Sequence, residues 1–394
     1  MQLKIVITLL MLSLALSASA QKPNYKRSFE QAIAQTQIML AEIGQIQQSG
    51  LSKDLVSPRT LDKGKLKMVA SKDWTSGFFP GVLWFIYEFD NSRKWLNLAR
   101  NFTSPIEQEK LNSGTHDMGF KVFCSVGTGY RLTKDSHYKD VILESANTLV
   151  KRYNPKTGVI RSWDHNTDKW VNPVIIDNMM NLELLFEATR LSGDSSFHQI
   201  AVSQANVTMQ NHFRPDYSSY HVIDYDPKTG KVLKKNTHQG YSHESAWSRG
   251  QAWALYGYTM CYRYTRDPRY LKQAEQVASY ILSHPNLPKD LVPYWDFNAP
   301  GIPNEPRDVS AAAVIASALY ELSDYSNYRK WYLKKANFML YSLGKNYASP
   351  AGDNKGFILA HSTGSKPANS EIDVPLSYAD YYYLEALLRY KRRS

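Results

Sequence analysis

The chain has 394 residues, 43% of them hydrophobic and 21% charged, with a mean hydropathy of −0.45. That composition excludes disordered and fibrous classes, and two cysteines exclude a disulfide scaffold. Lysine and arginine outnumber the acids 47 to 36, a formal charge of +11 that favours an anionic partner. The basic residues are spread out, and the densest run, Lys228 to Lys235, is turn-rich with few aromatics, so nucleic acid is not the expected partner.

In chain order, a lone Lys4, an apolar run from Ile5 to Leu16 and the small residues Ser17-Ala18-Ser19-Ala20 read as a secretory signal peptide over residues 1–20. The run is too short for a membrane span, and Gln21 after the expected cut is not a lipid-bearing cysteine. The expectation is an exported protein, periplasmic or secreted, without a membrane anchor. Residues 21–394 show no linker and read as one domain. Cys124 and Cys261 sit in separate apolar helical patterns, where free buried thiols are expected over a disulfide.

Apolar residues recur with a 3.6-residue period over Ser28–Gln48, Gly77–Phe89, Trp95–Ser104, Gly119–Leu132, Tyr138–Arg152 and Asp177–Leu191. The same period continues over Phe197–Phe213, Ser245–Thr265, Arg269–Ser283, Ser310–Leu322, Tyr328–Leu343 and Tyr378–Tyr390. Helices apolar nearly all round alternate with helices that carry a charged face, which marks inner and outer partners. Between the partners an Asp is followed by an aromatic: Asp90 and Trp95, Asp135 and Tyr138, Asp194 and Phe197, Asp267 and Tyr270, Asp324 and Tyr328. Five such hairpins, and a sixth made from the first and last helices, predict an all-α (α/α)6 barrel. The turns Tyr153-Asn-Pro-Lys-Thr-Gly158 and Tyr225-Asp-Pro-Lys-Thr-Gly230 predict small β-hairpins. With the loops Pro285–Asp308 and Ala348–Leu376, they belong at the end of the barrel where outer helices return to inner ones, and function is expected at that mouth.

Aromatics crowd the predicted starts of inner helices: Trp74, Phe78, Phe79, Trp163, Trp247, Trp253, Tyr294, Trp295 and Phe297. Such rings stack on sugar faces, and they also fill helical cores. Asp117 and Asp177 open successive inner helices; each is either an N-cap or half of a carboxylate pair that holds one proton in an aromatic pocket. Arg249 offers a planar fork for a carboxylate, or pairs with Glu244 or another acid. No serine-nucleophile elbow, Walker loop, dinucleotide fingerprint or metal-ligand set occurs, so no cofactor or metal is expected.

Seven segments taken together are specific: Trp74-Thr-Ser-Gly-Phe-Phe-Pro-Gly81, His116-Asp117-Met-Gly-Phe120, Ile176-Asp177-Asn-Met-Met-Asn-Leu182, His238-Gln-Gly240, Trp247-Ser-Arg249-Gly-Gln-Ala-Trp253, Asp308-Val-Ser-Ala-Ala312 and Tyr378-Ala-Asp-Tyr-Tyr-Tyr-Leu-Glu385. In this order the chain resembles the unsaturated glucuronyl hydrolases of glycoside hydrolase family 88, whose fold is the (α/α)6 barrel. The resemblance implies removal of a 4,5-unsaturated uronic acid from the non-reducing end of lyase-generated oligosaccharides, through hydration of the C4=C5 bond. It implies Asp177 as general acid/base and Asp117 as its partner. It also implies Trp74, His116, Trp163, His221, Gln239, Trp247, Arg249 and Trp253 around the uronate, with Arg249 at its carboxylate. In the family a serine-rich stretch with a lysine goes with sulfated substrates; Ser362, Ser365 and Lys366 supply those residues here, with the lysine one residue closer than in the family's pattern, so the resemblance implies the reaction and not a preference for sulfate. Three alternatives stay open from sequence: an unsaturated rhamnogalacturonyl hydrolase acting on pectin fragments, a non-catalytic exported carbohydrate-binding protein, and a sugar epimerase on the same barrel.

Overall fold

The computed structural model describes residues 22–50 and 54–393, so the predicted signal peptide lies outside the described residues. Twelve helices alternate outer and inner among them. The outer set is α1 (Tyr25–Gln48), α3 (Arg93–Thr103), α5 (Ser136–Leu149), α7 (Ser195–Asn211), α9 (Pro268–Ser283) and α11 (Arg329–Ser342). The inner set is α2 (Phe78–Asp90), α4 (Gly119–Thr133), α6 (Asn178–Ser192), α8 (Ser248–Thr265), α10 (Val309–Leu322) and α12 (Ser377–Lys391). Each inner helix packs on the next, and α12 packs on both α10 and α2, so the ring closes as an (α/α)6 barrel.

Amphipathicity sorts the two layers. Every residue of α10, Val309 through Leu322, is buried, whereas α3 buries only Trp95, Ala99 and Thr103. The aspartates before the outer helices act as N-caps: Asp135, Asp194 and Asp267 accept the amide N–H of His137, Ser196 and Arg269. The aromatics that follow, Tyr138, Phe197 and Tyr270, are buried. The repeat breaks at both ends: Asp90 closes α2 and the N-cap position of α3 is Ser92. Asp324 binds Arg329 instead of capping α11, and Tyr328 is 63% exposed while Tyr332, one turn on, fills the core.

Helix α4 departs from the uniform α-helix expected from its period: Gly119–Gly127 is π-helical and Thr128–Thr133 is α-helical. A π-turn keeps one face apolar nearly as well as an α-turn, so the period does not betray it. The strands form small antiparallel pieces at one end of the ring. They are β1 (Leu55–Asp62) with β2 (Lys65–Ala70), β3 (Tyr153–Asn154) with β4 (Val159–Ile160), β5 (Pro173–Ile175) with β6 (Val222–Tyr225) and β7 (Val232–Asn236), and β8 (Ser362–Ser365) with β9 (Ser370–Val374). The two hairpins expected at Asn154 and Asp226 are present. Both cysteines are free and buried. No described helix is long and apolar enough to cross a membrane.

Candidate active site

Connections from inner to outer helices are only a few residues long, so the long segments all gather where the inner helices start. There they enclose a pocket of about 350 Å³. Its floor is set by the first residues of α4 and α6. Asp117 and Asp177 face it, along with Trp74, His116, Trp163, Gln239, Arg249 and Ser365. The two helices come together because Gly119 has no side chain: a Cβ there would meet Asn181 Cα at 2.7 Å, and the Gly119 amide instead donates to Asn181 Oδ1 at 2.8 Å.

Asp177 is not a helix cap. Its side chain accepts no bond from the α6 amides, and its Oδ2 is buried without a hydrogen bond; Asp308, by contrast, does cap α10 through Ser310 and Ala311. Burial pushes the Asp177 carboxyl up to about 7, opposed by the Arg249 charge and helped by Asp117. The Trp253 indole N–H, which has no other partner, also favours the ionised form.

Two histidines flank the carboxylates with fixed hydrogens. His221 Nδ1 accepts from the His238 and Gln239 amides at 3.0 and 3.1 Å, so the neutral ring carries its hydrogen on Nε2, 3.7 Å from Asp177 Oδ2. Burial holds its imidazolium well below the usual range. His116 has the opposite tautomer. Asn178 Nδ2 donates to the Ile160 carbonyl at 2.6 Å, which turns Asn178 Oδ1 toward His116 Nδ1 at 2.9 Å as an acceptor. Burial lowers the His116 pKa as well, so its Nε2 is a bare acceptor 3.3 Å from Asp117 Oδ1. Asp117 Oδ2 already accepts the Thr115 hydroxyl at 2.8 Å. Two acceptors side by side on a pocket wall call for one O–H donor, a water or a sugar hydroxyl.

Arg249 pairs with another acid, Asp308, and not with Glu244. Glu244 lies 3.3 Å from Arg214, while Arg249 Nη1 donates to Asp308 Oδ2 at 2.5 Å and to the Thr363 carbonyl at 2.6 Å, and Nη2 donates to the Gly364 carbonyl at 2.5 Å. These bonds engage three of its five N–H donors and anchor β8 to the mouth of the barrel. Nε–H and one Nη2–H remain for a ligand. Trp247 and Tyr378 stack on the guanidinium at 4.6 and 5.3 Å.

The aromatic wall is thinner than expected. Trp74 and Trp163 line the pocket, the latter stacked on His165 at 5.5 Å. Trp247 and Trp253 are 3% and 0% exposed and support it from behind; Phe79, Tyr294, Trp295 and Phe297 are core residues away from it. Ser362 is buried behind the pocket, and Lys366 is ion-paired with Glu305 above Trp295, outside the lining. Gln239 donates to the Gly364 carbonyl at 3.1 Å and so braces the same hairpin as Arg249. Residues the sequence did not single out include Arg59, which holds Asp73 and Glu371 at 2.8 and 2.6 Å on the pocket rim, and Asn178. Asn178 adjoins Asp177 in sequence, a signal that could have found it; Arg59 lies in a hairpin with no motif.

A larger cavity of about 550 Å³ opens at the opposite end of the ring. Each carboxylate on its walls pairs with an arginine, as Glu321 does with Arg389 at 2.8 Å and Glu187 with Arg190 at 2.7 Å. It holds a structural ion-pair network, whereas the smaller pocket holds an unpaired acid.

Residues 53–384 match the sequence profile of Glycosyl Hydrolase Family 88. Over 323 residues the chain is 56% identical to an unsaturated glucuronyl hydrolase of Formosa agariphila, covering 82% of this chain and 80% of that one. Over 345 residues it is 33% identical to an unsaturated chondroitin disaccharide hydrolase of Streptococcus pneumoniae, 86% of each. A solved unsaturated glucuronyl hydrolase specific for heparin superposes with a TM-score of 0.88 at 44% identity, covering 94% of this chain and 97% of that one. A variant of the Streptococcus agalactiae enzyme, solved in complex with dGlcA-GalNAc6S, superposes at 0.76 with 29% identity over 93% and 92%. The chain is a glycoside hydrolase, and it belongs to glycosyl hydrolase family 88.

Proposed function

We propose that this enzyme releases the 4,5-unsaturated uronic acid from the non-reducing end of lyase-generated oligosaccharides, glycosaminoglycan fragments foremost, by adding water across C4=C5. One observation carries the reading: Asp177 is a buried, uncapped carboxyl whose pKa of about 7 keeps it a proton donor near neutrality, beside a second carboxylate, Asp117, that forms with His116 a pair of acceptors suited to a water. In this reading Asp177 protonates C4, and the oxocarbenium-like ion that develops at C5 is stabilised by Asp117. Water held at His116 and Asp117 adds to C5 and gives up a proton to the now ionised Asp177, which restores the acid; the hemiketal then opens, and the glycosidic link falls apart. Arg249 directs its two remaining donors to the uronate carboxylate. The predicted signal peptide supports action outside the cytoplasm.

Turnover in heavy water tests the chemistry. Deuterium at C4 of the released keto acid, and solvent oxygen at C5, are the expected outcome. Solvent oxygen at C1, or efficient cleavage of a saturated glucuronide, would replace hydration by displacement at the anomeric carbon. Loss of the double-bond absorbance on unsaturated chondroitin, heparin and pectin disaccharides ranks the substrates, and no loss on any of them reduces the protein to a sugar binder.

A further inference from the structure

The pocket around Asp177 does not end at its rim. A shallower depression of about 600 Å³ continues it, and His238 and Ala368 line both. The new walls come from the segment before β5 (Lys169, Trp170), from β7 (Lys234, Asn236) and from His243. Lys234 belongs to the basic run that stands out in the sequence and that the catalytic pocket leaves unexplained.

No carboxylate lines this depression, and its polar groups are turned into donors by their own bonds. Lys234 Nζ donates to the Lys169 carbonyl at 2.6 Å, which brings the two lysines to one side. Asn236 Oδ1 accepts the Trp170 indole N–H at 3.3 Å, leaving the amide's N–H groups. His243 Nδ1 accepts the Thr237 amide at 3.2 Å, leaving Nε2–H on the neutral ring. The aromatic wall is continuous with the inner pocket: Trp170 stands edge-on to His238 at 5.6 Å and to Trp163 at 5.5 Å. A surface of cations and N–H donors beside an indole fits a sugar that bears an oxyanion. Lys366, the cation that family resemblance associates with sulfate, is already held by Glu305.

We propose that this depression is an outer subsite in which Lys169 and Lys234 bind a sulfate ester or carboxylate on the leaving part of the oligosaccharide. The proposal rests on the hydrolase reading above. Its test is a K169A/K234A double variant of the full chain, alongside K169R/K234R, assayed on three sugars. These are an unsaturated disaccharide without sulfate, the same disaccharide sulfated on its second residue, and an unsulfated tetrasaccharide whose third residue is a uronate.

With the alanine variant, KM for a substrate that carries an anion beyond the unsaturated uronate should rise about 10-fold at constant kcat and lose part of its salt dependence. The unsulfated disaccharide should change less than about twofold, and the arginine variant should stay near the unaltered chain on all three. A rise confined to the sulfated disaccharide identifies sulfate as the ligand; one confined to the tetrasaccharide identifies the carboxylate. Unchanged KM on both sugars with a second anion, or an equal loss on all three, overturns the subsite. An unaltered chain inert on every sugar instead removes the hydrolase reading, and the subsite with it.

Discussion

Asp177 shows how much a single residue's surroundings decide. Its raised pKa makes two pH statements with the same cause. Catalysis needs the protonated form, so kcat/KM should be level well below pH 7, bend near it and fall about tenfold per unit above it, as a pH-rate profile would show. Asp177→Asn should lower turnover by about 100- to 10,000-fold while leaving substrate binding nearly intact. Stability moves as well. Between pH 3.8, where the unfolded carboxyl loses its proton, and about 7, where the folded one does, the unfolded state binds fewer protons, so stability falls as pH rises. The full difference is on the order of 4 kcal/mol. The Asn variant should therefore melt above the unaltered chain at pH 8 and not at pH 4; an equal shift at both would mean that Asp177 ionises normally. Sequence placed this aspartate at an inner helix start beside aromatics, yet left the cap and the acid as alternatives. The decision lies in where the carboxylate turns once α4 and α6 meet at Gly119, a contact made by residues 62 apart.

Among the elements, the β8–β9 hairpin depends on a side chain that enters from another part of the chain. Arg249→Ala would remove the bonds to Thr363 and Gly364 and leave Asp308, 0% exposed, as a buried charge without its partner. Denaturant titration should show a loss of about 3–5 kcal/mol. Arg249→Lys keeps the charge but cannot reach both carbonyls and Asp308 at once, so it should recover part of the stability and little of the substrate affinity. Equal, near-native stability of both variants would show that the hairpin is held without the arginine. Helices were legible because burial on one face repeats every 3.6 residues for many turns. The small sheets were less so: β1 carries Pro58 and a register shift there, and β5 is three residues that find β6 almost 50 positions later. Pairing of that range leaves no local pattern, just as Asp308 gives no sign in sequence that it belongs to Arg249.

For the whole molecule, the ring was readable from the recurrence of aspartate and aromatic between helices, even though its first and last members broke the rule. What that recurrence does not reveal is the seam. There α1 meets α12: Tyr383 hydroxyl donates to Ser28 Oγ at 3.2 Å, and Lys391 lies over the Tyr25 ring at 5.8 Å. Gln31 and Gln35 of α1 reach the backbone of Ser349, Asp353 and Phe357 in the loop that leads into α12, so the seam is closed by that loop's hydrogen bonds more than by the packing of the two helices. Six hairpins joined this way have a cyclic order, and a cyclic order has no intrinsic first member. A circular permutant that links Lys391 to Tyr25 through a short flexible linker, and is cut between the exposed Asn327 and Tyr328 at the end away from the pocket, should fold to the same barrel and keep most of its turnover. Helical circular dichroism and the unsaturated-sugar assay would report it. Loss of both would assign the seam a directional role in assembly; retention would make the starting hairpin an accident of the gene, exchangeable for any of the other five.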